Sequence, residues 1–160
     1  MKWPKGYWNY FFVDDYIVDQ LETLLKNQIE FDVENLTING RQTFNVINDF
    51  ELGYVEIPIF QYTEFLTGQV FESQHVHLID YDPNGYQLPH DHSTTEDFSY
   101  IVYLNDSDQK TAFYRDGHYM YVTPERGKGI VFDSGLLHWS LPGTIGKKIA
   151  VGAAKFIDVH

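Results

Sequence analysis

From about residue 70 to residue 157 the chain is a series of short apolar runs, rich in aromatic and β-branched residues and separated by turn signals. Val70 to Tyr81 reads as a strand running into a turn at Asp82-Pro83-Asn84-Gly85. Phe98 to Asn105 is a strong strand, and Asp106 to Lys110 turns the chain. Thr111–Tyr114 and Tyr119–Val122 flank Asp116-Gly117 as a hairpin. Gly129 to Phe132 and Lys148 to Ile157 complete the set. Short strands at this spacing are expected to close into a mainly β sandwich or barrel.

The earlier sequence supplies what packs outside it. Trp8 to Val13 reads as a strand, and Asp14 and Asp15 are placed to cap a helix. Ile17, Leu21, Leu24, Leu25 and the more distant Ile29 share one helical face, which predicts a helix over Asp15–Gln28. Asn39-Gly40 reads as a hairpin-type turn; Pro58 allows a helix beginning near it or an edge strand, and a second helix from about Pro58 to Leu66 is the preferred reading. No repeat, linker or low-complexity stretch divides the 160 residues, so one domain is expected, with its β core at about 70–157.

Composition narrows the function classes. Phe, Tyr and Trp make up 17% of the chain, which suits half-buried pleated surfaces. The net charge of −12 repels phosphate backbones, so no nucleic-acid partner is expected. The absence of cysteine excludes disulfides and thiolate metal sites. No apolar stretch follows Met1–Lys5 as a signal peptide would require, and none approaches the ~18 residues needed to span a bilayer. A soluble cytoplasmic protein without membrane attachment is the expectation. Nothing in the sequence speaks to its oligomeric state.

The chemistry lies in Tyr81–His92, which ends in His90-Asp91-His92, and in a third histidine, His138, further on. On a strand, His90 and His92 share one face. Two such imidazoles and a third from a distant strand can hold a metal at three corners and leave the others open. Asp91 points to the opposite face, where it could hydrogen-bond a ring nitrogen rather than ligate. A second pair, His75 and His77, also shares a face, but lacks the turn and loop that open a site.

Taken in order, these residues resemble the iron(II)- and 2-oxoglutarate-dependent oxygenases of the prolyl-hydroxylase type. Phe11–Tyr16 before an amphipathic helix looks like that family's opening strand and helix. Tyr81 and Gly85 ahead of His90, the strand Ser99–Asn105, and the series Gly127, Phe132, His138, Lys148 look like the rest. The resemblance implies a double-stranded β-helix, a jelly roll of cupin-like form, with one or two N-terminal helices packed outside. It implies Fe(II) held by His90, His92 and His138. His92 stands where the family usually has an acid, so nitrogen donation replaces a negative charge and nickel or zinc could bind as readily.

It further implies that Lys148, ten residues after His138, pairs with the far carboxylate of 2-oxoglutarate. Lys148 would then face inward and its neighbour Lys147 outward, and an outward Lys148 would sink the cosubstrate assignment in favour of a three-histidine dioxygenase. Tyr103 and Tyr81 would donate hydroxyl hydrogen bonds to it, and Trp139 would wall the pocket. The implied activity is a dioxygenase that hydroxylates a small-molecule or peptidyl substrate, with succinate and CO2 as co-products. Two alternatives stand beside it: a three-histidine cupin-type dioxygenase that does not use 2-oxoglutarate, and a non-catalytic β-sandwich binding module whose histidines need not converge.

Overall fold

The computed structural model describes residues 5–48, 57, 59, 61, 63–65, 67–91 and 96–157. Along the chain lie β1 (Trp8–Phe12), α1 (Asp15–Lys26), β2 (Phe31–Asp32), β3 (Thr37–Thr43), β4 (Phe71–His90) and β5 (Phe98–Tyr103). They are followed by β6 (Thr111–Arg115), β7 (His118–Val122), β8 (Lys128–Asp133), β9 (Leu137–Ser140) and β10 (Lys147–Phe156). The second helix is expected at about Pro58 to Leu66; there and just beside it, residues 57, 59, 61, 63–65 and 67 are helical. Among the described residues no helix is long and apolar enough to cross a membrane.

The described pairings are all antiparallel, in the order β1-β8-β5-β10-β4-β9-β6-β7, with β3 on β4 and β2 on β3. β4 belongs to two walls at once. Its first half pairs with β10, from Phe71 opposite Phe156 to Tyr81 opposite Lys147. Its last residues pair with β9, His90 lying opposite His138. Between the halves Asn84 takes a left-handed conformation (φ 67°) and the strand bends. The expected turn at Asp82–Gly85 is thus a kink inside one 20-residue strand. The sheet curls over on itself as a jelly roll.

The core confirms that the walls face each other. Ile79, Tyr81, Ile101, Tyr103, Ile130, Phe132 and Ile149 from β4, β5, β8 and β10 meet Phe113 of β6 and Val122 of β7. The alternate residues of the first wall, among them Val76, Leu78, Tyr100, Val102, Val131 and Ala150, point outward and are covered by Val18, Leu21, Leu24 and Leu25 of α1. This wall is therefore buried on both faces. Arg126 ties α1 down through Asp15, Asp19 and Glu22.

Three local expectations change. α1 ends at Lys26, so Ile29 lies beyond it and is 92% exposed, while Val18 takes a core position. Asn39-Gly40 lies inside β3, where the pairing with β4 slips and Asn39 has φ 52°, so it is a bulge rather than a turn. The cap of α1 is made by the Asp14 carbonyl, which accepts from the Ile17 and Val18 amides, and not by its side chain.

Gly152 of β10 lies directly opposite Tyr100 of β5, and a Cβ there would enter the buried Tyr100 ring. Gly152→Val is expected to cost about 1–3 kcal/mol by overpacking, or roughly 3–10 °C in melting temperature for a domain of this size. An unchanged thermal melt would refute this packing.

Candidate metal and cosubstrate site

The His90–His138 pair is built by backbone register. As opposed residues of β4 and β9 they share one face, and their rings lie 4.3 Å apart at 59°. His90 Nδ1 donates to the Leu88 carbonyl and His138 Nδ1 to the Leu136 carbonyl, both at 2.9 Å. A carbonyl only accepts, so each Nδ1 carries the hydrogen and each Nε2 presents its lone pair. Backbone carbonyls thus orient both of these rings. Phe132 packs edge-on against His138, which is buried. Burial pushes the His90 imidazole below its ordinary value, partly offset by the Leu88 carbonyl and Asp91. That favours the neutral form a metal requires.

His92 lies outside the described residues. Among those described, no three His, Asp or Glu side chains gather to hold a metal.

The pair opens onto a cavity of about 130 Å³ whose wall includes Tyr81, Thr111, Ser140 and Lys147. Here the lysine expectation is corrected. Lys148 is exposed, faces an outer groove beside Asp19 and Asp80, and its backbone amide donates to Asn105 Oδ1 at 2.7 Å. Lys147 is the inward residue, fully buried opposite Tyr81. Because β10 is buried on both faces, its apolar residues 149 to 154 show no polar side from which to read the phase.

Lys147 Nζ donates to the Gln109 carbonyl at 2.9 Å and to Ser140 Oγ at 2.5 Å, and lies 5.0 Å from the centre of the Tyr81 ring. None of these described partners is a carboxylate. Burial pushes the ammonium down to about 7.

Tyr81 is buried on the cavity wall as expected. Burial pushes its hydroxyl up, against the opposing effect of the Ser140 and Thr37 side chains. Neither gives it a hydrogen bond of full geometry, and its Oη is without a partner among the described residues. Tyr103 is different. Its hydroxyl donates to Thr111 Oγ1 at 2.7 Å, and it is Thr111 that lines the cavity. Thr111 and Ser140 were missed by the sequence reading. The signal for Ser140 was available, since it lies two residues beyond His138 on the same face of β9. Trp139 also lines the cavity and meets Tyr119 edge-on. His75 and His77, set aside earlier, line this same cavity.

The donor set fits the groups that the resemblance implies. Two oriented imidazoles 4.3 Å apart can reach one ion. An ammonium buried and, among the described residues, held by neutral oxygens, beside a tyrosine hydroxyl with no partner among them, offers what a carboxylate needs in an apolar setting.

No protein-family model matches the chain, and no curated protein matches it in sequence. Solved structures do match. A prolyl-4-hydroxylase from Pseudomonas putida superposes with a TM-score of 0.69 at 17% identity, covering 96% of this chain and 95% of that one. The viral collagen prolyl hydroxylase of Paramecium Bursaria Chlorella virus-1, in a 2-oxoglutarate complex, gives 0.68 at 20% identity over 94% and 96%. HygX from Streptomyces hygroscopicus, with nickel, 2-oxoglutarate and hygromycin B bound, gives 0.70 at 10% identity over 94% and 83%. The chain therefore has the jelly-roll fold of the 2-oxoglutarate-Fe(II) oxygenases of the prolyl-hydroxylase type.

Proposed function

We propose that this protein is an Fe(II)- and 2-oxoglutarate-dependent dioxygenase that hydroxylates a small-molecule or peptidyl substrate. The observation that carries the reading is Lys147, a fully buried ammonium without a described carboxylate partner, in the cavity that also holds His90 and His138. His90 and His138 would ligate the metal through Nε2, with His92 as the third ligand. Lys147, not Lys148, would pair with the far carboxylate of 2-oxoglutarate, and Tyr81 Oη would donate to it. Thr111 and Ser140 would complete the polar wall, with Tyr103 fixing the Thr111 hydroxyl. Bound with 2-oxoglutarate and dioxygen, Fe(II) supplies the oxidative decarboxylation to succinate and CO2 that is coupled to C–H hydroxylation.

The convergence of His90 and His138 speaks against a binding module with incidental histidines. A lysine inside the cavity gives the cosubstrate a partner that a three-histidine dioxygenase would not use. Two of the structural relatives are named as prolyl hydroxylases and the third holds hygromycin B, so both peptidyl and small-molecule substrates are kept.

Adding Fe(II) and 2-oxoglutarate under nitrogen should produce the weak visible charge-transfer band of a bidentate chelate. Fe(II) binding without that band would overturn the reading in favour of the three-histidine enzyme.

A further inference from the structure

The His75–His77 pair is used by nothing described so far. Both side chains lie on the inward face of β4 and line the cavity. His77 Nδ1 donates to the Thr43 carbonyl at 3.0 Å, so its Nε2 carries the lone pair and its ring is fixed. Burial is the main influence on His77 and pushes it down, and His75 nearby adds to this, so the neutral acceptor form prevails at neutral pH. Beside it, His75 Nε2 bonds Glu96 Oε1 at 2.9 Å, and the Glu96 side chain is only 6% exposed.

Register separates this end of the cavity from the lysine end. Lys147 pairs with Tyr81 and Val151 with His77, four positions along both strands, or roughly 13 Å at strand rise. Lys147 is the only lysine or arginine among the described residues of the wall. The far end therefore presents the His77 acceptor beside His75, with the buried Glu96 carboxylate behind it and the Ser99 hydroxyl nearby, in a chain of net charge −12. Among the described residues an incoming carboxylate or phosphate would meet no lysine or arginine there and would face the Glu96 carboxylate, whereas an N–H or O–H group would find an oriented nitrogen.

We infer that His77 Nε2 is a specificity-determining acceptor that receives a hydrogen bond from a non-acidic donor group of the substrate, an amine or a hydroxyl, at the end of the cavity away from Lys147. The inference rests on the proposed oxygenase reading only in assigning the Lys147 end to 2-oxoglutarate.

The test uses four N-acetyl amino-acid methylamides with matched chain length, ending in ammonium (lysine), hydroxyl, methyl or carboxylate. Binding to the full chain is followed by ligand-observed NMR, with and without Zn(II) and 2-oxoglutarate. The ammonium or hydroxyl probe should bind roughly tenfold more tightly than the methyl probe, as one hydrogen bond to a buried acceptor implies, and the carboxylate probe least. His77→Leu should erase the difference between donor and methyl probes, and His77→Gln, which keeps an acceptor oxygen, should restore part of it. Circular dichroism melts of both variants report folding. Equal response to all four probes, including none, overturns the inference, as does preference for methyl or carboxylate, or discrimination that survives in a folded His77→Leu. Failure of the oxygenase reading shows separately, as a missing Fe(II)–2-oxoglutarate band with these preferences intact.

Discussion

Lys147→Ala is expected to weaken 2-oxoglutarate binding by about two to three powers of ten, while Lys148→Ala leaves it unchanged. The basis is that removing one partner of a buried ion pair costs about 3–5 kcal/mol, because the other charge is stranded. Lys148 is exposed on the outer face and has no such partner to strand. Anaerobic titration of both variants decides it, and the reverse order of effects would restore the original assignment to Lys148. The pH dependence gives a second readout. In the ligand-free protein burial pushes Lys147 down to about 7. Binding a carboxylate needs the ammonium, so above pH 7 each complex must take up a proton. The dissociation constant should then rise about tenfold per pH unit.

The ligand-free fold should respond with the opposite sign. Between about 7 and the ordinary lysine value the native state holds fewer protons than the unfolded one. Its stability should rise with pH by about 1.4 kcal/mol per unit in that window. Lys147→Met should remove both slopes, and slopes that persist in it would assign the titration to another group.

His138→Ala is expected to weaken metal binding by more than about a hundredfold, since even the outer partners of metal ligands are worth roughly 10–100-fold. His90→Ala and His92→Ala should do the same, whereas His75→Ala should keep the metal. Titration with Fe(II), Ni(II) and Zn(II) measures all four. Loss of metal in His75→Ala but not in His90→Ala would move the centre to the other histidine pair. His92→Asp adds a carboxylate oxygen and a negative charge to the set. It should shift preference toward iron over nickel and zinc, because hard oxygen donors favour the earlier metals of the row.

What could be read from the sequence depended on whether an element has one buried face or two. α1 has one, so the spacing of Leu21, Leu24 and Leu25 showed its face. The hairpin at Asp116-Gly117 announced itself through residues that accept positive φ, and both take it. β10 is apolar on both sides, so nothing distinguished Lys147 from Lys148. Only the register with Tyr81 does. The kink in β4 was misread for a related reason: Asp-Pro-Asn-Gly has the composition of a chain reversal, yet pairing on both sides keeps the strand going. Tyr103 was placed on the correct inward face, but its proton goes to Thr111, and a hydroxyl's choice of partner is not written in strand alternation.

The double membership of β4 also sets the order in which this molecule can be assembled. Its first half must find β10 across 66 to 85 residues of chain, and His90 meets His138 only when β9 arrives. Such distant pairings place folding on the millisecond-to-second scale typical of barrels. On a ribosome β4 emerges long before β9 and β10, so a half-made chain holds neither the cross-strand imidazole pair nor the lysine end of the cavity. Lys147 leaves water in the same event that seats β10 beside β4. A ligand that binds only between those walls would therefore stabilise the closed barrel and no earlier state.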